Sequence, residues 1–334
     1  MNSIAILIIS LGIILLAAEL FVNGVEWLGK RLNLSEGAVG SVLAAVGTAL
    51  PETIIPIIAI VFSGGSEGHD IGIGAILGAP LMLSTLAMFV TGLAVVVFQR
   101  RRKHGVKVVA DYSTMSRDLL FFMVVFAVAV LTGMIPPELR LLQIIIAVFM
   151  VISYILYAHI MLTQERGPEA GSEIPPCYFD RRNASLNMII LQVIAALALI
   201  IFGASLFVDS VKVVAVTYGV PAFVLALIIT PITTELPEKF NSIIWVSREK
   251  DTLALGNITG AMVFQSSLIP AMGILLTDWQ LTISALASAV LALLSASIMF
   301  IQLRMHKHIS APVLMAGGLF YALFLAGVFM GIIR

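Results

Sequence analysis

The chain has 334 residues, 60% of them hydrophobic and 11% charged, with a mean hydropathy of +1.08. A soluble protein of this length carries roughly 25% charged residues, so the composition excludes a water-surrounded globule and implies an integral membrane protein. Lys and Arg balance Asp and Glu at 19 each, no nucleic-acid partner is expected, and the single Cys177 excludes an intramolecular disulfide.

A helix needs about 20 apolar residues to cross a bilayer. Ten stretches reach that length, roughly 4–28, 37–63, 71–98, 118–135, 139–162, 186–211, 221–246, 254–276, 280–303 and 311–332. They are continuous rather than alternating, so neither a membrane barrel nor any strand is expected. The first stretch lacks a basic leader and a clear cleavage site, and reads as a membrane helix rather than a signal peptide. It contains Glu19 and Asn23. The second carries "GTALPE" at 47–52, with Thr48, Pro51 and Glu52. The third holds Gly72, Gly74 and Gly78, read as close-packing positions together with Gly256 and Gly260 of the eighth. The sixth holds Asp209. The seventh carries "TTELPE" at 233–238, with Thr234, Glu235, Pro237 and Glu238, followed by Lys239. The eighth has a polar patch at Gln265, Ser266 and Ser267. Loops 99–117 and 163–185 are too short for a domain. The five histidines show no metal spacing and read as interfacial.

Lys and Arg are distributed unevenly about these stretches. Fifteen flank the ends of helices 1, 3, 5, 7 and 9, and three (Arg140, Lys212, Arg334) lie opposite. The positive-inside rule then places the odd ends in the cytoplasm and the N-terminus outside. A prokaryotic plasma membrane is the expected location. The basic run at 100–107 reads as part of this orientation signal, with lipid-headgroup binding as a second reading.

Residues 17–52 align without a gap with 203–238 at an offset of 186, with nine identities clustered at "LFV" and "LPE". "GAILGAPLML" at 74–83 pairs with "GNITGAMVFQ" at 256–265. Each half therefore has five helices: 1–162, a cytoplasmic linker 163–185, and 186–334. Five is odd, so the halves have opposite topology. Inverted repeats of this type place a substrate site at the midplane, between broken helices of the two halves. Pro51 and Pro237 are the expected breaks, since each removes a backbone donor.

Ionisable groups at membrane depth are functional candidates. Glu52 and Glu238 are repeat equivalents, and with Thr48 and Thr234 they form an all-oxygen site suited to Ca²⁺ or Na⁺. Their alternative role is as structural hydrogen-bonding acids. Glu235 and Lys239, spaced i, i+4, read either as an internal ion pair or as a built-in cation beside the site. Snorkelling of Lys239 is a third reading. Gln265 is a further ligand candidate. Asn23, Asp209 and Glu19 read as helix-contact or gating residues.

The paired motifs "LFVNG…VGTALPE" with "GAILGA" and "LFVDS…ITTELPE" with "GNITGA" resemble the cation/Ca²⁺ exchanger superfamily, in particular its prokaryotic sodium/calcium exchangers. The resemblance covers nearly the whole chain. It implies an all-α fold of ten helices in two inverted repeats, working by alternating access as two gating helices slide past an eight-helix core. The family's ligating Thr and Glu fall on Thr48, Thr234, Glu52 and Glu238. Its other ligand positions are occupied by Ala49, Ala79 and Leu83 in the first repeat, and by Glu235, Ala261 and Gln265 in the second. The resemblance thus implies a secondary antiporter exchanging Ca²⁺ or another divalent cation for Na⁺ or H⁺, with no enzyme activity, no cofactor and no evident protein partner. Fewer oxygens speak against the usual three-Na⁺ cycle. Proton-coupled or monovalent exchange and a transport-inactive relative remain open, with a channel less favoured.

Overall fold

In hydrocarbon every backbone polar group must be satisfied within its own segment, and helices achieve this. The computed structural model bears this out for the residues it describes, 3–31, 50–63, 65–164, 176–179 and 185–332. The helices are α1 (Ser3–Arg31), α2 (Leu50–Ile57), α3 (Gly65–Met82), α4 (Met88–Phe98), α5 (Tyr112–Thr132) and α6 (Arg140–Gln164). The second half contributes α7 (Leu186–Tyr218), α8 (Ala222–Ser247), α9 (Asp251–Leu276), α10 (Ile283–His306) and α11 (Ala311–Phe329). Among the described residues eight spans are long and apolar enough to cross a membrane, and two shorter apolar helices, Pro51–Phe62 and Ala222–Ile232, bring the number to ten. The molecule is an integral membrane protein of ten helices in two inverted five-helix repeats.

Several helices outrun the apolar stretches that announce them. α5 begins at Tyr112 rather than near 118, capped by Asp111, whose side chain accepts from Thr114 N at 2.8 Å. Hydrogen bonds from Thr114, first its side chain and then its backbone, hold the Asp111 carboxyl below the usual carboxylate range. α7 continues to Tyr218 and ends on Gly219 at φ +66°, a left-handed cap that glycine adopts without penalty. The expectation of no strands fails in one small place. Lys107–Val108 pairs antiparallel with Ile309–Ser310, joining the loop after α4 to the start of α11.

The expected break at Pro237 is also corrected: α8 stays helical from Ala222 to Ser247. A proline inside a helix removes one i→i−4 bond, and here the helix absorbs the loss. Pro51 follows Leu50, the first described residue of α2, and the chain before it lies outside the described residues. The irregular backbone is instead π-helical, at Ile58–Phe62 just after Pro56 and at Leu83–Ala87 just after Pro80. π-turns of this kind recur at functional sites.

Two packings position the site. α1 lies along α7, and α3 crosses α8 backbone to backbone. A Cβ at Gly74 would sit 2.3 Å from the Phe223 carbonyl oxygen, and one at Gly78 only 2.1 Å from that of Leu227. Pro231 cannot donate to the Leu227 carbonyl, so the carbonyl pressed against Gly78 is one its own helix leaves without its usual partner. The close-packing expectation thus holds at Gly74 and Gly78, and at Gly72, where a Cβ would meet Ile60 at 2.4 Å. Gly256 and Gly260 have no such neighbour among the described residues.

Candidate cation site

The site forms where α2 meets α8 and α8 meets α9. Glu52, in the first turn of α2, is buried at 6% exposure. The usual helical donor to its carbonyl would be the N–H of residue 56, which is Pro56 and has none. On α8, Thr234 and Glu235 are both buried, and Thr234 Oγ1 donates to the Thr230 carbonyl at 3.0 Å. On α9, Gln265 is buried at 2% and its Nε2 donates to Glu235 Oε1.

Gln265 has one side-chain oxygen left. Its Oε1 is buried and has no hydrogen-bond partner among the described residues, and the same is true of Thr230 Oγ1. Buried polar atoms without a partner are uncommon in proteins. One of them, Gln265 Oε1, belongs to an amide bonded to the Glu235 carboxylate, and oxygens of this kind are what a hard cation takes. No group of three or more His, Cys, Asp or Glu suited to a metal occurs among the described residues, which leave out the side chain of Glu238.

Thr48 and the side chains of Glu238 and Lys239 lie outside the described residues, as does the Glu235–Lys239 pairing. The other candidates lie elsewhere. Asn23 is buried where α1 meets α7, with its Oδ1 accepting from Gln192 Nε2 at 3.0 Å and from Tyr178 N at 3.3 Å. Gln192 Nε2 also reaches the Leu20 carbonyl at 2.8 Å, and its Oε1 accepts from Phe179 N at 3.0 Å. A piece of the linker, 176–179, is thereby held against both helices. Glu19 accepts from Tyr178 OH at 3.1 Å in the same cluster. Asp209, the repeat equivalent of Asn23, is exposed and makes no hydrogen bond or ion pair among the described residues.

The family model for the sodium/calcium exchanger proteins matches residues 2–163 and 188–330, nearly the whole chain. The chain belongs to the sodium/calcium exchanger protein family. Among this exchanger's relatives, the inner membrane protein YrbG of Escherichia coli (strain K12) is 23% identical over 303 residues, 89% of this chain and 86% of that one. The structure of the H⁺/Ca²⁺ exchanger CAX superposes with a TM-score of 0.74 at 16% identity, covering 98% of this chain and 82% of that one. The sodium-calcium exchanger NCX_Mj gives 0.58 at 18%, covering 97% of each. At these identities the likeness fixes the fold.

Sequence reading misses four polar groups that the exchanger buries. Arg102, counted above only as an orientation charge, is buried and pairs with Asp251 Oδ2 at 2.7 Å. It also donates to the carbonyls of Val246 at 2.6 Å, Lys107 at 3.2 Å and Gly105 at 3.3 Å. Asp251 Oδ2 further accepts from Val109 N at 2.8 Å. Gln192 carried no motif. Asp118 falls at the edge of its apolar stretch, but is 2% exposed and accepts from Tyr157 OH at 2.5 Å and Thr259 Oγ1 at 2.6 Å. The cap at Asp111 was the available signal: starting the helix there puts Asp118 about 9 Å inside it, at 1.5 Å per residue.

Proposed function

We propose that this exchanger is a secondary cation antiporter that carries a divalent cation, Ca²⁺ by preference, in exchange for H⁺ or Na⁺. The observation that supports this best is the Glu235–Gln265 pair, whose unbonded amide oxygen is buried beside a carboxylate. Glu52, Glu235 and Glu238 against Lys239 give a formal local charge of −2 when all are ionised, which one divalent cation neutralises. Binding would replace water oxygens with protein oxygens at the midplane, and alternating access would expose the loaded site first to one side and then to the other. The protein is a transporter rather than an enzyme, needs no cofactor, and sits with its N-terminus outside a prokaryotic plasma membrane.

The coupling ion follows from what the first repeat lacks. Ala79 and Leu83 are buried at 4% and 0% exposure, at positions where the family resemblance implies oxygen ligands. A site poorer in oxygens holds fewer Na⁺ ions at once, so exchange for H⁺ or for a smaller number of Na⁺ is favoured.

The test is uptake of ⁴⁵Ca²⁺ or Mn²⁺ into liposomes against outward H⁺, Na⁺ or K⁺ gradients. Uptake driven by one of these gradients is expected. Glu52→Gln and Glu238→Gln each lower it at least tenfold, the equivalent of ~1.4 kcal/mol. Full uptake by both variants would show that the cation sits elsewhere.

A further inference from the structure

Asp118 has no part in the site above. It lies on α5, and its partners come from two other helices, Tyr157 on α6 and Thr259 on α9. α9 packs against both α5 and α6. Thr259 is fully buried. It lies six residues before Gln265 on α9, about 9 Å along the axis and about a third of a turn round it. The carboxyl therefore supports the ion-site helix from behind.

The two contacts, at 2.5 and 2.6 Å, have the length of hydroxyls donating to an ionised carboxylate. Each oxygen of Asp118 receives one such bond, and no cationic side chain bonds to either among the described residues. The charged groups nearby come from several elements. On α5 itself the preceding residue, Arg117, turns its Nη1 to Met161 Sδ at 3.1 Å, and Asp111 sits at the cap. α6 adds Tyr157 and Tyr154, the latter packed edge-on to Phe264. On α9, Asp251 is held by Arg102. On α10, Arg304 lies on Tyr112 OH at 3.2 Å.

Thr259 has an alternative partner. Several buried Thr and Ser hydroxyls of this chain donate to the carbonyl four residues back, as in Thr91 to Ala87 at 2.9 Å and Ser267 to Val263 at 2.7 Å. Helical Thr commonly samples both arrangements. Thr259 bonds instead to Asp118, and the Leu255 carbonyl is one turn behind it.

From this geometry we infer that Asp118 is a proton-binding site. A proton arriving at Asp118 Oδ2 forms a new O–H, which then donates to Thr259 Oγ1. The Thr259 hydroxyl turns and gives its own hydrogen to the Leu255 carbonyl, while Tyr157 goes on donating to Oδ1. The site gains one proton and loses one negative charge, and every hydrogen-bonding group is satisfied before and after. Only the loaded form carries no charge into the bilayer, and it loosens the tie between α5 and α9. Any effect on transport rests on the antiporter reading, whereas the proton site itself does not.

The experiment is infrared difference spectroscopy, acid against alkaline pH, on the full chain in lipid vesicles. The wild type gives a carboxylic C=O band that Asp118→Asn removes. Thr259→Val takes a charge-assisted bond from the ionised form, and the band then titrates about one pH unit higher, while Thr259→Ser restores it. A band unchanged by Asp118→Asn, or a Thr259→Val midpoint that does not move, overturns the proposal. The second variant decides if the first does not fold. In cation uptake, Asp118→Asn flattens the pH profile, whereas Glu52→Gln removes the flux. Loss of flux for every cation in the wild type would sink the antiporter reading alone, since the infrared result stands without it.

Discussion

Arg102 shows how much one residue can carry that its neighbours do not. It stands in the run Arg100–Lys103, where composition predicts four interchangeable charges, yet only Arg102 is buried, with a fork of donors satisfied by a carboxylate and three carbonyls. Such a pair adds little against a hydrophobic replacement of both partners, but breaking it from one side costs about 3–5 kcal/mol, because the remaining charge stays buried. Arg102→Met is therefore expected to lower the thermal unfolding midpoint in detergent by that equivalent. Arg102→Lys does not restore it, since a point charge cannot reach all four acceptors. The pair was not legible in the sequence, and Asp118 only through the helix cap at Asp111. A polar residue near the edge of an apolar run looks the same whether it faces water or three helices, and only the third dimension separates the two cases. Glu52 stood out because it recurs as Glu238 in the paired LPE motif, and Glu235 because it interrupts the same apolar run; both Glu52 and Glu235 are buried.

Among the elements, the helices were readable in number and kind because bilayer thickness sets their length. Their ends were not, since helical hydrogen bonding continues beyond the apolar stretches, into Tyr112–Arg117 and Lys212–Tyr218. The proline at 237 misled for a similar reason. It removes one bond from a helix of 26 residues, and a buried helix with neighbours on several sides survives that loss. The crossing of α3 over α8 is more sensitive. Gly78→Ala places a methyl against the Leu227 backbone, which cannot move aside as a side chain can, and overpacking of this kind costs about 1–3 kcal/mol. Gly12→Ala on α1, where nothing lies within 4 Å, is expected to be neutral or to stabilise by up to about 1 kcal/mol. Guanidinium-free thermal melts of the two variants in one detergent compare them directly. Equal midpoints would show that the crossing tolerates side chains.

For the molecule as a whole, the inversion was legible from arithmetic alone: two alignable halves with an odd number of crossings each. What arithmetic could not supply is which groups of the two halves meet, because the offset of 186 relates sequences and not distances. The orientation is open to a direct check. In a Cys177→Ser background, Asp278→Cys and His104→Cys place single thiols on exposed loops at opposite faces. An impermeant maleimide is expected to label Asp278→Cys in intact cells and His104→Cys only after permeabilisation. The reverse pattern would turn the molecule over.

The α3–α8 crossing also bears on how such a chain can diverge after its gene duplicates. Where side chain meets side chain between the halves, a change on one partner can be answered by a change on the other. At Gly74 and Gly78 the opposing atoms are carbonyl oxygens of Phe223 and Leu227, which every amino acid possesses. No substitution in the second half can make room there. The two glycines are therefore fixed independently of their partners, and across related chains they should vary least even where the opposing residues vary freely.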